Sequence, residues 1–581
     1  MLKFMIFEEG DIMKSREYYE LTKPQQTIWV SEKFINEPIN NIIGSMYFKD
    51  DINIDLLIKA TNLIVKNNDA LRTVLTYHDE KIMQYFDDFK PFRIEVFDFT
   101  SKSQEEVQDF CKKFYDTKFN LLHSKLFDFV MLKLPDHEIC LIGKFHHIIA
   151  DAWSLGLIID NIAINYSNLA YNSNIFLNTG TYLDFINREQ KYLHSDTYLK
   201  NKEFWLNKLS DYNPIKLNTS SNSSYIANRK LYDLSCELTD SINNFCHCNN
   251  ITPYTLFMGA LDIYLYRSTM QTDITITTPI LNRIGKEKQS MGMFINMINT
   301  RINNNPNTTI IDLLKEISSE TISLFKNSKC PYMDILTDLR KQNPSLNNKS
   351  YNIVFSFQNM RPNKSAEGLV DYRVDWNFNG YSQDELVINV TDINDSGFYS
   401  ISYDYLVDLF SENEIEYLHR RLLCIISNII KNPSAKIAFI DIIDNEEKTK
   451  LLDEFNTSDF NYDKSLTLVD LFENAVNNYP DNIAVKYKNN ILTYKELNNL
   501  SNIIANEIKN KNIKNSKVAI ICDKSDFMVA GLLGILKSGN AYIPIDPSYP
   551  QKRIDYILND SLSKIILTTK KYINKYNAKH I

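Results

Sequence analysis

In the first third of the chain, apolar residues form short continuous runs typical of strands, and then recur at the spacing typical of a helix. Residues 126–134 and 138–145 are two apolar runs on either side of Pro135 and Asp136, and they predict two strands joined by a turn. Residues 155–169 carry apolar side chains at helical spacing and predict a helix. The residues between them, 146–154, therefore lie where a strand becomes a helix, a position at which folds expose functional side chains.

The same patterns continue further along the chain. Residues 52–66 have an apolar stripe typical of a helix, and so do residues 255–267. Residues 272–279 are β-branched and alternating, which predicts a strand that ends just before Asn282 and Arg283. We therefore expect an α/β fold throughout.

The junction at 146–154 combines two imidazoles, a carboxylate and a hydroxyl in the sequence HHIIADAWS. Successive residues of a strand point to opposite faces, so His146 and His147 cannot both enter one site unless the strand has already broken. We expect one histidine to do chemistry and the other to pack.

This junction resembles HHxxxDxxS, the core motif of nonribosomal peptide synthetase condensation domains, which are relatives of chloramphenicol acetyltransferase. Other segments are similar to the remaining signatures of these domains and follow in the expected order, at residues 21–29, 68–73, 182–185, 291–296, 331–334 and 354–359. The resemblance spans about residues 17–440, and the ordered set is more specific than the core motif alone.

Two departures from the family pattern are visible. Ala152 stands where a Gly is usual, and Asn68-Asp69 replace the His-Glu of the second motif, whose usual form is RHExLRT. Gly would permit a positive φ, so Ala152 predicts an ordinary helical or bridge conformation in this turn. Neither departure removes the second histidine of the core motif.

The resemblance implies a V-shaped domain of two chloramphenicol-acetyltransferase-like lobes with the active site at their junction. It implies amide-bond formation between a donor acyl or peptidyl thioester and the amine of an acceptor aminoacyl thioester, with His147 as the catalytic residue. Both substrates would arrive on the 4'-phosphopantetheine arms of donor and acceptor peptidyl carrier proteins supplied in trans. We expect no cofactor bound covalently to this chain and no metal.

The residues around His147 have expected supporting roles. We expect Asp151 to form a buried ion pair, with Arg283 as the first partner and Arg72 as the alternative. Trp153 is expected to pack in the core rather than contact substrate, and Ser154 to cap the following helix. Gly156 either offers an N–H to the thioester or allows tight packing, and the remaining supporting residues are His146, Asn282 and the tunnel-lining pair Gln358 and Asn359.

A second resemblance begins near residue 455, because residues 492–497 and 536–546 are similar to the first two motifs of adenylation domains. No Ser/Thr/Gly-rich phosphate loop follows within the sequence, so we expect this part to activate no substrate. The expected organisation is an N-terminal extension at 1–16, condensation lobes at 17–180 and 181–440, a linker at 441–463 and a truncated adenylation subdomain at 464–581.

Other functions remain open within this fold. A starter-type domain would take an acyl-CoA donor in place of a carrier, and a non-catalytic docking module would keep the fold without the reaction. The intact histidine pair argues against the docking module. Epimerisation domains share the core motif but have different neighbours, and heterocyclisation domains replace the histidines with aspartates.

Composition excludes several classes of partner. Of the 581 residues, 44% are hydrophobic, and the formal net charge is -8. This negative charge gives no electrostatic reason to expect nucleic acid or an anionic membrane as a partner. No apolar run has the length of a membrane span, and residues 1–7 are too short for a signal peptide, so we expect a cytoplasmic protein. The eight cysteines are scattered, and Cys246-His247-Cys248 has no second ligand pair at zinc spacing.

Overall fold

The structure is a computed structural model that describes residues 16–576, apart from residues 50–51, 136, 174–179, 212–214, 216, 218–223, 344–352, 359–369, 393–396 and 458–459. The chain divides into two compact units, Met1–Leu451 and Leu452–Ile581.

The helices in the described residues are α1 Lys23–Phe34, α2 Ile54–Asn67, α3 Gln104–Asp116, α4 Ala152–Ala170, α5 Tyr182–Leu193, α6 Asp196–Leu209, α7 Cys236–Asn249, α8 Pro253–Thr269, α9 Ile310–Lys326, α10 Tyr332–Gln342, α11 Glu412–Lys431, α12 Asn445–Leu452, α13 Leu468–Asn478, α14 Tyr494–Asn510, α15 Asp526–Lys537 and α16 Gln551–Ser561. The strands are β1 Tyr19–Glu20, β2 Asn41–Lys49, β3 Thr73–His78, β4 Lys81–Phe86, β5 Glu95–Asp98, β6 Phe127–Lys133, β7 Glu138–His146, β8 Ala227–Asp233, β9 Asp273–Ile280, β10 Asn296–Asn303, β11 Ile353–Gln358, β12 Tyr372–Asn377, β13 Leu386–Thr391, β14 Ser400–Leu406, β15 Ile483–Tyr487, β16 Asn490–Thr493, β17 Lys517–Ile521, β18 Ala541–Ile545 and β19 Ile565–Thr568.

The first sheet of the larger unit has the strand order β12-β2-β7-β6-β5. Its central strand, β7, is buried at nearly every position because α2 and α4 cover one face and α3 covers part of the other. Since β7 ends at His146 and α4 begins at Ala152, the predicted strand-to-helix junction is present. The sheet therefore delivers the histidine motif at the end of a rigid, buried strand.

The second sheet has the order β10-β9-β11-β13-β14-β8, and α7, α8, α9 and α11 pack against it around a second hydrophobic core. The strand predicted at 272–279 is β9, and the turn after it carries Asn282 and Arg283. One strand from late in the chain, β12, pairs with β2 and so belongs to the first sheet. Two layered α/β lobes result, joined by this crossing strand.

The smaller unit is also α/β. Strand β17 lies between β18 and β19 in a parallel sheet, and β15 pairs with β16 in an antiparallel hairpin. Helices α15 and α16 connect the parallel strands, as β-α-β crossovers require. Across the described residues of the whole chain, no helix is both long and apolar enough to cross a bilayer.

Candidate active site

A cavity of about 460 Å³ opens in the larger unit between α1 and the histidine motif on one side and the second sheet on the other. Three of the predicted site residues line it: His147, Asn282 and Gln358. Much of the remaining lining is apolar. It comes from α1, α10, the strands of the second sheet and the segments just before β2 and β10, and includes Ile28, Ile39, Met293, Ile295, Met297, Met333, Leu336, Val354 and Val387.

The two motif histidines face different surroundings. His146, the last residue of β7, is 3% exposed; its Nδ1 accepts a hydrogen bond from the Ile148 N–H (3.2 Å), and its Nε2 lies 3.3 Å from a Glu32 oxygen. Its ring also meets the Phe119 ring edge-to-face. Burial alone would raise the pKa of the Glu32 carboxyl, but hydrogen bonds from His146 and Asn40 outweigh it and lower that pKa. His146 is therefore a packed histidine.

His147 is the histidine on the cavity wall. Its backbone N–H donates to the Asn40 carbonyl (2.8 Å), which continues the strand pairing by one residue and turns the side chain to the opposite face from His146. The Nδ1 atom is enclosed and has no hydrogen-bond partner within the described residues, and the half-buried side chain lines the cavity. Burial lowers the pKa of this imidazole, and the nearby Asp151 carboxylate opposes that shift without cancelling it. The ring is consequently neutral at neutral pH and able to accept a proton.

Asp151 forms the expected ion pair with Arg283, and both side chains are fully buried. The carboxylate accepts two guanidinium hydrogen bonds of 2.8 Å, one on each oxygen, and a further bond from the Phe294 N–H at 3.1 Å. Burial would raise the pKa of Asp151, but the charge and hydrogen bonds of Arg283 hold it below its usual range. Arg72, the alternative partner, instead donates to the Asp87 carbonyl.

Asp151, and not Ser154, caps helix α4. The expectation for Ser154 is wrong because the Asp151 carboxylate already accepts the Ser154 N–H at 2.9 Å, leaving Ser154 inside the first turn. The Ser154 hydroxyl instead lies 2.8 Å from Asp151 and 2.9 Å from both the N–H and the carbonyl of Gly292. The motif therefore joins the start of α4 to the segment before β10.

Trp153 differs from its expected role as a core residue. It is half-buried, its indole N–H donates to the Lys288 carbonyl (2.8 Å), and it belongs to neither core nor cavity wall within the described residues. The amphipathic indole bonds a backbone carbonyl at the surface, which explains the difference. Ala152 begins α4 without a positive φ, as expected.

Gly156 and Asn359 complete the predicted set. Gly156 is buried at the fifth position of α4, and the helical hydrogen bonds have already begun with the Leu155 N–H donating to the Asp151 carbonyl. Its N–H therefore lies beyond the uncovered first turn, and of the two expectations tight packing fits better. Asn359 lies outside the described residues.

Residues of the upstream motifs hold the histidine junction in place. The Gln25 side chain donates to the Ile148 carbonyl (3.1 Å) and forms a capping box with Thr22 at the start of α1. Asp69, which replaces the usual Glu, accepts the N–H groups of Tyr182 and Leu183 at the start of α5. Several of the upstream motifs therefore contribute hydrogen bonds that hold the residues around the histidine junction and the start of α5.

Sequence reasoning missed Glu189 and Lys23, which line the same cavity. A signal for Glu189 was present: it falls on the buried stripe of α5 that also holds Tyr182, Phe185 and Ile186, where a carboxylate is unusual. The sequence patterns also did not indicate Asp404 of β14, which lies on the cavity wall. Its carboxylate accepts two hydrogen bonds from the Arg229 guanidinium, at 2.5 and 2.8 Å.

Comparison with known families agrees with this geometry. The family described as Condensation domain matches residues 15–452, and the one described as AMP-binding enzyme matches residues 472–580. The chain belongs to the condensation domain family. Part of an AMP-binding domain follows the condensation domain, so the expected order of the two domains is confirmed.

Curated relatives of this condensation domain are multidomain synthetases. The chain is 30% identical over 565 residues to a plipastatin synthase protein of Bacillus subtilis (strain 168), covering 95% of this chain and 22% of that protein. It is also 30% identical over 567 residues to surfactin synthase subunit 1 of the same organism, covering 95% of this chain and 16% of that protein. The chain thus spans less than a quarter of these relatives.

Solved structures show the same fold. A four-domain nonribosomal peptide synthetase bound to AMP and glycine matches 97% of this chain and 44% of its own, with a TM-score of 0.78 at 17% identity. The starter condensation domain of rhizomide synthetase in complex with C8-CoA matches 73% of this chain and 97% of its own, with a TM-score of 0.66 at 19% identity. The expected condensation fold is confirmed.

Proposed function

We propose that the cavity catalyses attack of an acceptor amine on a donor acyl thioester, with His147 as the catalytic residue. The observation that carries the proposal is the position of His147: it is the motif histidine on the cavity wall, whereas His146 is sealed behind it. Membership of the condensation domain family supports the same reaction class.

The chemical demand on His147 is modest. A free α-amino group titrates at about 7.7 to 8.0 and a thiol near ~8.5, so part of the amine is neutral at pH 7 and thiolate is a competent leaving group. As the C–N bond forms, the nitrogen loses a proton to His147; as the C–S bond breaks, that proton passes to the departing sulfur. Holding the two substrates together supplies much of the rate, so orientation of the amine is the larger role.

Asp151 and Arg283 act by position. Their ion pair is sealed from the cavity and ties the start of α4 to the segment around Gly292. This arrangement fixes the backbone turn that carries His147, four residues before Asp151. We assign both residues a structural role in the active site.

The donor is proposed to arrive on the 4'-phosphopantetheine arm of a carrier protein, and the acceptor on a second carrier, both in trans. A second candidate is a starter reaction with acyl-CoA. The apolar wall formed by Met293, Ile295 and Met297 supports that candidate, because a linear acyl chain could pack against it. The similarity to a starter domain in complex with C8-CoA points in the same direction.

The test is intact mass spectrometry of both carriers. A loaded donor carrier and an aminoacyl acceptor carrier are mixed with the protein, and condensation appears as a mass gain on the acceptor equal to the donor acyl group minus the one hydrogen that it replaces. A parallel reaction replaces the donor carrier with acyl-CoA. Product that forms with the donor carrier and not with acyl-CoA supports the first candidate, and product that forms with acyl-CoA supports the starter reaction. If neither donor gives product, the proposed function is wrong.

His147→Ala is expected to reduce product formation by at least about 100-fold, the lower range for a positioned acid-base group. The matched control is His247→Ala, since His247 is exposed on α7, far along the chain from the motif. Equal rates for His147→Ala and wild type would contradict the assignment. Circular dichroism of both variants checks that the fold is retained.

A further inference from the structure

One carboxyl group on the cavity wall has no cation of its own among the described residues. Glu189, on α5, is 7% exposed and lines the same cavity as His147. Its Oε2 accepts the Lys23 N–H at 2.9 Å, and its Oε1 accepts no hydrogen bond within the described part of the chain. One carboxyl oxygen is therefore available to a molecule in the cavity.

The nearby cations are committed to other carboxylates. The Lys23 Nζ atom lies 2.9 Å from Asp334 of α10, and the Arg188 Nε atom lies 2.6 Å from Glu287. The charged groups that face Glu189 are Lys23 from α1, Arg188 from its own helix and Asp334 from α10. Each of the two cations is paired with another carboxylate, so Glu189 has no ion-pair partner within the described residues.

A buried carboxylate without an ion-pair partner is costly, and a cationic group that binds it offsets part of that cost. Burial raises the pKa of Glu189 to about 7, against the opposing effects of the Lys23 N–H and the positive charges of Lys23 and Arg188. The group therefore changes between neutral and charged forms in the pH range where an α-amino group also does.

We propose that Glu189 binds the α-amino group of the acceptor, in its ammonium form, inside the cavity. The proposal rests on the proposed function, since it assigns a binding residue to the acceptor of that reaction. The ammonium N–H donates to Oε1 of Glu189. Transfer of one proton from nitrogen to Oε1 then leaves a neutral amine and a neutral carboxyl, so no net charge is created in the cavity.

The experiment compares two soluble acceptor mimics on the full chain. The aminoacyl group that gives product in the carrier assay is presented as its N-acetylcysteamine thioester, beside the thioester that lacks only the amino group. Isothermal titration calorimetry at pH 7 measures both affinities for wild type, Glu189→Gln, Glu189→Asp and the control Asp184→Asn, which changes an exposed carboxyl on the same helix.

Wild type and Asp184→Asn are expected to bind the amino form about tenfold more tightly than the form without the amino group. Glu189→Gln keeps an acceptor for the Lys23 N–H, so it should fold and bind the mimic without the amino group as wild type does. Its preference for the amine should fall below about threefold. Glu189→Asp, which keeps the charge, should retain part of the preference.

The outcomes separate this proposal from the proposed function. A tenfold preference that survives in Glu189→Gln, in a protein whose wild type forms product, overturns the role of Glu189 alone. A wild type that forms no product with either donor overturns the proposed function and this proposal with it. Loss of affinity for both mimics in Glu189→Gln would also overturn the proposal, since it would assign Glu189 to the general shape of the cavity.

Discussion

At the scale of single residues, the buried Asp151 carboxylate is the group on which the local structure depends most. Asp151→Ala is expected to destabilise the larger unit by about 3–5 kcal/mol, because it strands the fully buried Arg283 guanidinium. Thermal melting of the variant beside Asp240→Ala, an exposed aspartate on α7, measures the effect. An Asp151→Asn protein with wild-type stability and no activity would contradict the structural role.

The pH dependence of this effect has a definite sign. The pKa of Asp151 is lowered in the folded protein, so its contribution is fully present above the ordinary pKa and is lost as pH falls through the lowered one. The difference in melting temperature between wild type and Asp151→Ala should therefore narrow as the pH falls below about 4. A difference that is constant from pH 3 to pH 7 would show that the carboxylate charge is not responsible.

The role of a residue could be predicted from the sequence where its position in a strand, or its burial as a charged group, allows few arrangements. Strand alternation separated His146 from His147, and the buried charge at Asp151 required a cation that proved to be Arg283. The helix cap was assigned to the wrong residue because Asp and Ser are equally good caps and lie three positions apart. The structure decides between them, because the Asp151 carboxylate accepts the Ser154 N–H and Ser154 lies inside the first turn.

At the scale of elements, α8 contains a buried aspartate that has no charged partner among the residues the structure describes. Asp262 is fully buried; its Oδ1 accepts a hydrogen bond from Asn304 (3.2 Å), while its Oδ2 and the Asn304 Oδ1 have no partner within the described residues. Burial raises the pKa of Asp262 to about 8. A proton on Oδ2 would give the carboxyl a hydrogen to donate to the Asn304 amide oxygen, so the neutral form suits this site.

Asp262→Asn is therefore expected to stabilise the protein at pH 8 and to have a smaller effect near pH 4. Because the pKa of Asp262 is raised in the folded protein, the folded state becomes less stable relative to the unfolded state as pH rises from about 3.9 toward 8. The amide introduced by Asp262→Asn does not ionise, so the variant does not lose this stability. A rise in melting temperature of at least about 2 °C at pH 8 is expected. Asp240→Asn serves as the exposed control, and a lower melting temperature for Asp262→Asn at pH 8 would contradict the neutral form.

Elements with a clear period were predicted closely. The helix expected at 52–66 is α2, Ile54–Asn67, and the strand expected at 138–145 is β7, Glu138–His146. Helix α2 begins two residues later than expected because the Asn53 side chain caps its start. The pairing of β12 with β2 could not be predicted, since short-range patterns do not record which distant strand a segment joins.

At the scale of the whole molecule, the end of the larger unit contains a helix, α12, that the sequence pattern did not indicate. The segment at 441–463, expected to be a linker, contains α12, and the larger unit ends at Leu451. Arg420 of α11 lies 2.8 Å from Asp444, and Arg421 lies 2.5 Å from Glu447, which is 5% exposed. The charged, Asn-rich composition of this segment is typical of a linker. Here its acidic residues form ion pairs with Arg420 and Arg421 that hold α12 on α11.

Two shortened chains test this boundary. One ends at Ile440, the predicted end of the second lobe, and the other ends at Asn456, just after α12. The shorter chain loses both ion pairs and leaves Arg421 of α11 without its partner, so it should melt at least about 2 °C lower and give less soluble protein. Arg421→Met in the longer chain should lower its melting temperature by part of that difference. Equal melting temperatures for the two shortened chains would show that α12 adds nothing to the larger unit and that residues 441–463 act only as a linker.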